Sequence, residues 1–568
     1  MVRIRPSAIF LLLLAVALCL FGLRAGLSQS TVLRRVTTTT EDGININPSL
    51  SGDGRRIAFE STEDIAHAGG ATSFRALRAD ISSDPPAFVQ LGATRSPAPG
   101  ISQDGTRLAF AANDDPLGTN ADHNSEIFFF DGSALRQITN TSPGDASLRA
   151  RNGNFQPSLS DDARFIAFHS NRDLANANAD ANFEIFIYDT TAQTFAQLTS
   201  TNGIIGSTDA KISGGGAQVA YIRDNGISAG ATRDLVLQPR AGGAARVVAS
   251  GVSNLLVTFG RAISDDGTRV VYSGDSVPGT SQVYIFDGRG NTTRQITQLA
   301  APLVTQPDIP LRPTISGDGS RIAFATRRTV TGFANTDRSI ELYLFDIPTG
   351  QFSRITDAPS TADGHVGTTL VAEVISSLND DGSVVAFNFP RTLSGPVSDT
   401  DVQNNSEIYV TATVPRPPFG SLTVLNGASF GNEPATTKAV APDSIAVAQG
   451  GALSNSTVQG QRQTDGSFPR SLGGTTVTVN GRAAQIFFVS PSQVNFLVPP
   501  ETETGTAEVV VTNSDGFQSR GTIAVLRAAP GVFTYSGDGR GEGVILDAAT
   551  LQPGPFDPTS GNLRLIIF

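Results

Sequence analysis

One twelve-residue pattern recurs seven times, and it constrains the fold more than any other feature. The copies are Pro48–Phe59 (PSLSGDGRRIAF), Pro99–Phe110 (PGISQDGTRLAF), Pro157–Phe168 (PSLSDDARFIAF), Ala210–Tyr221 (AKISGGGAQVAY), Arg261–Tyr272 (RAISDDGTRVVY), Pro313–Phe324 (PTISGDGSRIAF) and Ser376–Phe387 (SSLNDDGSVVAF). They are spaced about 55 residues apart on average, so the chain is a series of equivalent supersecondary units. In five of the copies an Asp-Gly pair predicts a tight hairpin turn, with Gly free to take positive φ. The apolar triplet that follows, such as Ile57-Ala58-Phe59, predicts a buried strand.

Two further strands complete most units. One is acidic or Gln-headed and aromatic: Glu126–Asp131, Glu184–Asp189, Gln282–Asp287 and Glu341–Asp346. The other ends in Thr: Arg136–Thr139, Ala196–Thr199, Arg294–Thr297 and Ser353–Thr356. With the Pro-containing strand this makes four strands per unit. Seven four-stranded units at this period predict a seven-bladed β-propeller. These motifs resemble the TolB-type, WD40-like β-propeller repeat over roughly residues 33–412. The resemblance implies a fold more than a function: such propellers occur as periplasmic binding domains, as gates on serine peptidases and in glycan lyases.

The seventh unit has Ser376–Phe387 and Glu407–Val410 but no Thr-ended strand of its own. The segment Val32–Thr37 (VLRRVT) matches Leu135–Thr139 and is expected to supply it, closing the ring beside Glu407–Val410.

Before the propeller, Arg3 and Arg5 precede an apolar run from Ala8 to Leu23, with the small residues Gly26 and Ser28 behind it. This reads as a signal peptide over residues 1–28; the run is short for a membrane span. Leu18 precedes Cys19 where lipidation requires a small residue, and Cys19 is the only cysteine. The mature chain is therefore expected to be extracytoplasmic (periplasmic or secreted), without disulfides and without a membrane span. Its net charge is −11, or −14 once the three arginines of the leader are removed, which argues against a nucleic-acid partner.

The expected domains are thus the leader, a propeller over 32–412, a Pro-rich hinge over 413–420 and a C-terminal module over 421–568. Strands such as Thr475–Val479, Gln485–Val489 and Ala507–Thr512 predict an immunoglobulin-like β-sandwich there. Leu425–Phe430, Ala441–Ile445, Leu472–Gly481, Phe488–Pro500, Gly505–Asn513 and Ala529–Phe533 are similar to an uncharacterised C-terminal domain of secreted Acidobacteria proteins of the Solibacter type. That resemblance implies an Ig-like fold with no activity attached. Leu563–Phe568 reads as a strand cut at its end, as in a truncated frame. The whole chain is accordingly expected to be all-β.

Chemistry is sparse. Gly226-Ile-Ser-Ala-Gly230 matches a nucleophile elbow, but a strand rather than a helix follows it, so a loop is expected. His67, His123, His169 and His365 fall at different offsets in their repeats and predict no cluster; no zinc site and no other cofactor is expected. The ladder Asn120-x-Asp122-x-Asn124-x-Glu126 recurs as Asn178-x-Asp180-x-Asn182-x-Glu184, with partial copies at Asn335–Glu341 and Asp399–Glu407. Its alternate oxygens share one face and suit calcium, but Asn and Asp are also ordinary turn residues before a strand. The polar residues next to or at the Pro position, Asn47, Gln156, Asp209, Arg261 and Arg312, are the candidates for a polar channel mouth. Two functions follow: an exported non-catalytic binding protein with a protein or glycan partner, or a polysaccharide-active propeller enzyme.

Overall fold

The computed structural model describes residues 33–567 except 40–42, 70–73, 94–97, 143–152, 204, 227–231, 305–307, 359–364, 367–368, 371–372, 391–392, 394–405, 431–438, 558, 560 and 562. Residues 1–32 with the expected leader, Ile227–Gly230 of the elbow motif, and Asp399 and Asp401 of the last partial ladder lie outside the described residues. Apart from the short turn Ile347–Gln351, one compact unit runs to Pro415 and a second begins at Arg416.

The first unit is a seven-bladed propeller. Blade 1 comprises Asn45–Leu50, Arg56–Ser61, Arg75–Asp80 and Ala87–Ala93, hydrogen-bonded in that order. Blades 2, 3, 4 and 6 repeat the plan, starting at Gly100, Asn154, Ser207 and Thr314. Blade 5 is a three-stranded sheet, its first strand reduced to the isolated bridges Leu256–Ser273 and Ile263–Val270. Blade 7 is Ser376–Leu378, Val384–Phe389, Glu407–Ala412 and, as its fourth strand, Leu33–Arg35.

Each residue of the repeat has a structural task. The Ser hydroxyl bonds the turn Asp (Ser51 Oγ to Asp53 Oδ1, 2.6 Å) and accepts the Arg56 N–H (2.9 Å), which pins the turn. The turn Gly takes positive φ, 73° at Gly54 and 67° at Gly105; in blade 3 Ala163 holds the same conformation at 52°. The Arg after the turn reaches the next blade. Arg56 donates to the Asp104 carbonyl, Arg107 to Asp162, Arg269 to Gly319 and Arg321 to Gly382. The Phe or Tyr that ends the motif stacks on the aromatic opposite it in the third strand. Phe110 lies over Phe128, Phe168 over Phe186, Tyr272 over Tyr284, Phe324 over Tyr343 and Phe387 over Tyr409.

The acidic residue heading the third strand is buried and locks the fourth. Glu126, Glu184 and Glu341 are fully buried and accept the hydroxyls of Thr139, Thr199 and Thr356. Gln282 plays the same part with Thr297 (2.8 Å). In blade 7 the lock joins the two ends of the propeller. Leu33, Arg34 and Arg35 pair with Thr411, Val410 and Tyr409, as the sequence leads one to expect. Glu407, fully buried, accepts from the Thr37 hydroxyl, from Arg35 Nη2 (2.6 Å) and from the Thr39 N–H (2.8 Å).

The second unit differs from a plain two-sheet sandwich. Its strands form one continuous curled sheet, a half-barrel. Gly420–Asn426 joins two halves: its first two residues pair with Ser519 and Arg520, its last five with Ala446–Gly450. On one side lie Ile445–Gly450, Gln493–Leu497 and Gln485–Val489; on the other lie Gln518–Val525, Gly505–Thr512 and Thr475–Val479. Val477, Val479, Val509 and Val511 from one half pack with Ala446, Ile486, Val494 and Phe496 from the other, so the sheet closes over a single core. Among the described residues no helix is long and apolar enough to cross a membrane.

Two outcomes test the clasp. Deleting residues 29–38 should lower the melting temperature and open blade 7 to proteolysis, read by a thermal melt and limited digestion. Glu407→Ala leaves several buried donors unpaired and should cost about 3 kcal/mol or more in denaturant unfolding.

Candidate functional site: an acidic axial mouth

The fifth residue of each repeat, between Ser (Asn379 in blade 7) and the turn Asp (Gly215 in blade 4), turns toward the propeller axis. These seven positions are Gly52, Gln103, Asp161, Gly214, Asp265, Gly317 and Asp380. Their backbones form a closed ring of hydrogen bonds from blade to blade. Asp53 N–H donates to Gln103, Gln103 to Asp161, Asp161 to Gly214, Gly215 to Asp265, Asp265 to Gly317, Asp318 to Asp380, and Asp380 back to Gly52, at 2.7–3.0 Å.

The ring brings three carboxylates together. Oxygens of Asp161, Asp265 and Asp380, from blades 3, 5 and 7, lie within 4.8 Å of one another. Arg261 enters among them, 2.8 Å from Asp380, 3.5 Å from Asp265 and 3.6 Å from Asp161. Gln103 Nε2 donates to Asp380 at 3.0 Å. Glycine makes this crowding possible. A Cβ at Gly52 would strike the Asp380 carboxylate, one at Gly214 those of Asp161 and Asp265, and one at Gly317 both Asp265 and the Arg261 guanidinium. Carboxylate and glycine therefore alternate around the axis, and Gln103 fills the place where an odd ring breaks the alternation.

The electrostatics are unbalanced: three carboxylates face one guanidinium. Burial pushes the Asp265 carboxyl up to about 7; Arg261 pulls it down, and Asp161 and Asp380 push it up again. Asp161 is raised too, by burial first. Outside this group the turn aspartates Asp53, Asp104, Asp162, Asp266, Asp318 and Asp381 are exposed on the same turns. An open depression of about 320 Å³ lies over blades 5, 6 and 7, lined by Asp265, Asp266, Gly317, Asp318, Asp380 and Asp381.

Of the five mouth residues named from sequence, Arg261 alone joins this group. Asn47, Gln156 and Asp209 sit at a bulge in the first strand, with φ of 54°, 51° and 55°, five residues before the axial position. Asn47 is buried and donates to Glu60 (2.5 Å). Asp209 accepts from the Thr208 hydroxyl (3.2 Å). Arg312 pairs with Glu373 (2.8 Å), lies over the Phe259 ring (3.9 Å) and donates to the Val257 carbonyl (3.0 Å). Lys211 reaches the Phe259 carbonyl (2.6 Å). Arg312 and Lys211, from blades 6 and 4, thus satisfy carbonyls that the shortened first strand of blade 5 leaves open. Burial lowers Lys211 to about 8, with Asp209 opposing.

The histidines do not converge among the described side chains. His169 is buried between Phe155 and Phe183, and burial lowers it to about 4, so it is neutral at ordinary pH. His67 and His123 are exposed. The trio Asp161, Asp265 and Asp380 was not singled out from sequence, although the variable residue of the Ser-x-Asp-Gly turn carries the signal.

The charge imbalance gives a pH signature. A carboxyl raised from 3.8 to about 7 binds its proton more tightly folded than unfolded. Its contribution to stability is therefore greatest below pH 4, falls as pH rises to about 7 and is constant above. Asp265→Asn should raise the melting temperature most above pH 7, with the gain shrinking toward pH 4. Gly317→Ala should destabilise by about 1–3 kcal/mol through overpacking, read by denaturant unfolding.

No family model matches this chain, and no curated protein matches it. Solved structures with a similar fold include an oligogalacturonate lyase in complex with manganese, at 14% identity over 69% of this chain and 96% of that one, TM-score 0.44. Another is the β-propeller domain of the Trilobed protease from Pyrococcus furiosus, at 13% identity over 65% and 95%, TM-score 0.39. TolB from Acinetobacter baumannii is similar at 13% identity over 61% and 77%, TM-score 0.31. At these identities the likeness is one of fold: the chain is a seven-bladed propeller with TolB-like and WD40-type structural neighbours, followed by a curled β-sheet module.

Proposed function

We propose that this is an exported, non-catalytic binding protein that recognises a protein partner through the acidic axial mouth, by a basic segment of that partner. The observation that carries this reading is the convergence of Asp161, Asp265 and Asp380 on one arginine, because three half-buried carboxylates with one counter-charge leave an uncompensated attraction for a cation. Like charges so close oppose folding, and an axis built only to close the ring has no need of them. The exposed turn aspartates around the mouth extend the same field outward and favour encounter with a lysine- or arginine-rich chain.

The alternative, a polysaccharide-active enzyme, asks for a general acid and base beside a substrate-sized groove. His169 is walled in by phenylalanines, and the axial carboxylates are engaged with Arg261. Export rests on the leader-like sequence of residues 1–28, and the C-terminal module serves as spacer or second contact.

A fluorescent oligo-lysine peptide should bind the full chain with an affinity that falls steeply as salt rises. Asp161→Asn with Asp380→Asn should weaken binding at least tenfold. Undiminished binding by that double variant, or no binding at low salt, refutes the reading.

A further inference from the structure

The loops entering the third strand of blades 2, 3 and 6 share one spacing of side-chain oxygens: Asn120, Asp122, Asn124, Glu126; Asn178, Asp180, Asn182, Glu184; Asn335, Asp337, Ser339, Glu341. The first Asn is fixed identically in all three. Asn120 Nδ2 donates to the carbonyls of Asp114 (3.0 Å) and Asn124 (3.1 Å). Asn178 Nδ2 donates to those of Arg172 (3.5 Å) and Asn182 (2.9 Å), and Asn335 Nδ2 to those of Arg327 (3.1 Å) and Ser339 (2.8 Å). Carbonyls accept only, so the amide cannot be reversed and Oδ1 points the same way in each loop.

Blade 6 shows where it points. Asn335 Oδ1 is 3.4 Å from the Ser339 hydroxyl, which also lies 3.2 Å from Asp337 Oδ1 and 2.6 Å from Glu341 Oε1. Three oxygens therefore meet at the side chain of the fifth ladder residue.

In blades 2 and 3 that residue is Asn, whose amide nitrogen donates away from the first Asn of the ladder; Asn124 also helps hold the Glu126 carboxylate. Asn124 Nδ2 turns to Thr141, through both the carbonyl and the hydroxyl. Asn182 Nδ2 turns to the Thr201 hydroxyl (2.9 Å) and the Ile205 carbonyl (2.9 Å). The amide oxygens of Asn120, Asn124, Asn178 and Asn182 are left buried without a donor, on residues only 2%, 9%, 2% and 8% exposed. One such oxygen is an accident; two in each of two equivalent loops are a pattern. The exposed Asp122 and Asp180 stand between them in the ladder, and Asp180 uses one oxygen for the Gly203 N–H (2.8 Å). Glu126 and Glu184 are not available as ligands, since each holds two threonines of the fourth strand.

We propose that the loops 120–126 and 178–184 each bind one calcium ion. The ligands are Asn120 Oδ1, Asn124 Oδ1 and the Asp122 carboxylate in blade 2, and Asn178 Oδ1, Asn182 Oδ1 and the Asp180 carboxylate in blade 3, with water completing the shell. All are hard oxygens, which suits calcium above softer metals. The blade 6 loop does not bind, because the Ser339 hydroxyl fills the place. The ion ties each loop to the start of its third strand and is independent of the axial mouth.

The full chain is stripped with chelator and titrated with calcium chloride in a calorimeter, and its melting temperature is read with and without calcium. Two ions should bind, and the melting temperature should rise by a few degrees. Asp122→Asn and Asp180→Asn change exposed residues and keep the fold, which circular dichroism checks. Each should remove one ion, and the pair both. No binding at millimolar calcium, or two ions still bound by the double variant, overturns the proposal. Loss of binding with Asp161→Asn and Asp380→Asn instead would move the ion to the axis and overturn it equally.

Discussion

The blade-to-blade ring of backbone hydrogen bonds around the axis is the constraint on which the rest of the propeller depends. Each bond ties one Ser-x-Asp turn to the next, so the seven turns are held at one level and the seven x residues face a narrow common space. The backbone fixes that geometry, and the side chains must fit what is left. Large residues on neighbouring turns would overlap, which is why Gly52, Gly214 and Gly317 flank the three aspartates. Arg261 belongs to the same logic. It takes the Pro position in blade 5, whose first strand is nearly lost, and its side chain fills the space between blades 3, 5 and 7.

Farther from the axis a second device repeats. A buried acid or amide at the head of the third strand accepts from the Thr that ends the fourth, and the same lock crosses from Glu407 to Thr37 at the point of closure. Blade 4 keeps the principle with a shorter side chain. Asp234 accepts from Arg223 (2.7 Å), Asn225 (2.8 Å), Ser250 (3.0 Å) and the Gly251 N–H (2.9 Å), and these bonds outweigh burial and hold its carboxyl down at about 2. With Cys19 the only cysteine, the chain can form no internal disulfide, and these locks do the work that disulfides do elsewhere.

The repeat made the propeller legible, because strand, turn and aromatic residues recur in phase, and Val32–Thr37 stands out as the missing strand of blade 7 once the Thr-ended strands are aligned. The mouth was less legible for a geometric reason. Asn47, Gln156 and Asp209 are candidates because they precede the Pro position of the strand expected to be innermost. The bulge at that point turns the strand, and Asn47 goes into the protein against Glu60. The axial residues sit in the turn itself, at the one variable position of an otherwise regular motif. Reading Gly, Gln, Asp, Gly, Asp, Gly, Asp down the seven copies would have shown them, but not that a closed ring places the three aspartates within reach of one arginine. For the second unit the strand pattern predicts an immunoglobulin-like sandwich, whereas the strands form one curled sheet, since joining both halves through Gly420–Asn426 depends on pairings far apart in sequence.

The placement of the carboxylates has a thermodynamic consequence for binding. Asp161, Asp265 and Asp380 come from three different blades, so their mutual repulsion acts across blade interfaces rather than within one sheet. Any cation that enters the mouth relieves that repulsion and draws the three blades together. By linkage, whatever tightens the ring also raises affinity for the cation. Protonation of Asp265, whose carboxyl is raised to about 7, relieves the same strain by another route and competes with the incoming charge. A ring closed by main-chain bonds and a terminal clasp holds like charges at its centre, and on the proposed reading those charges couple its closure to the bound cation.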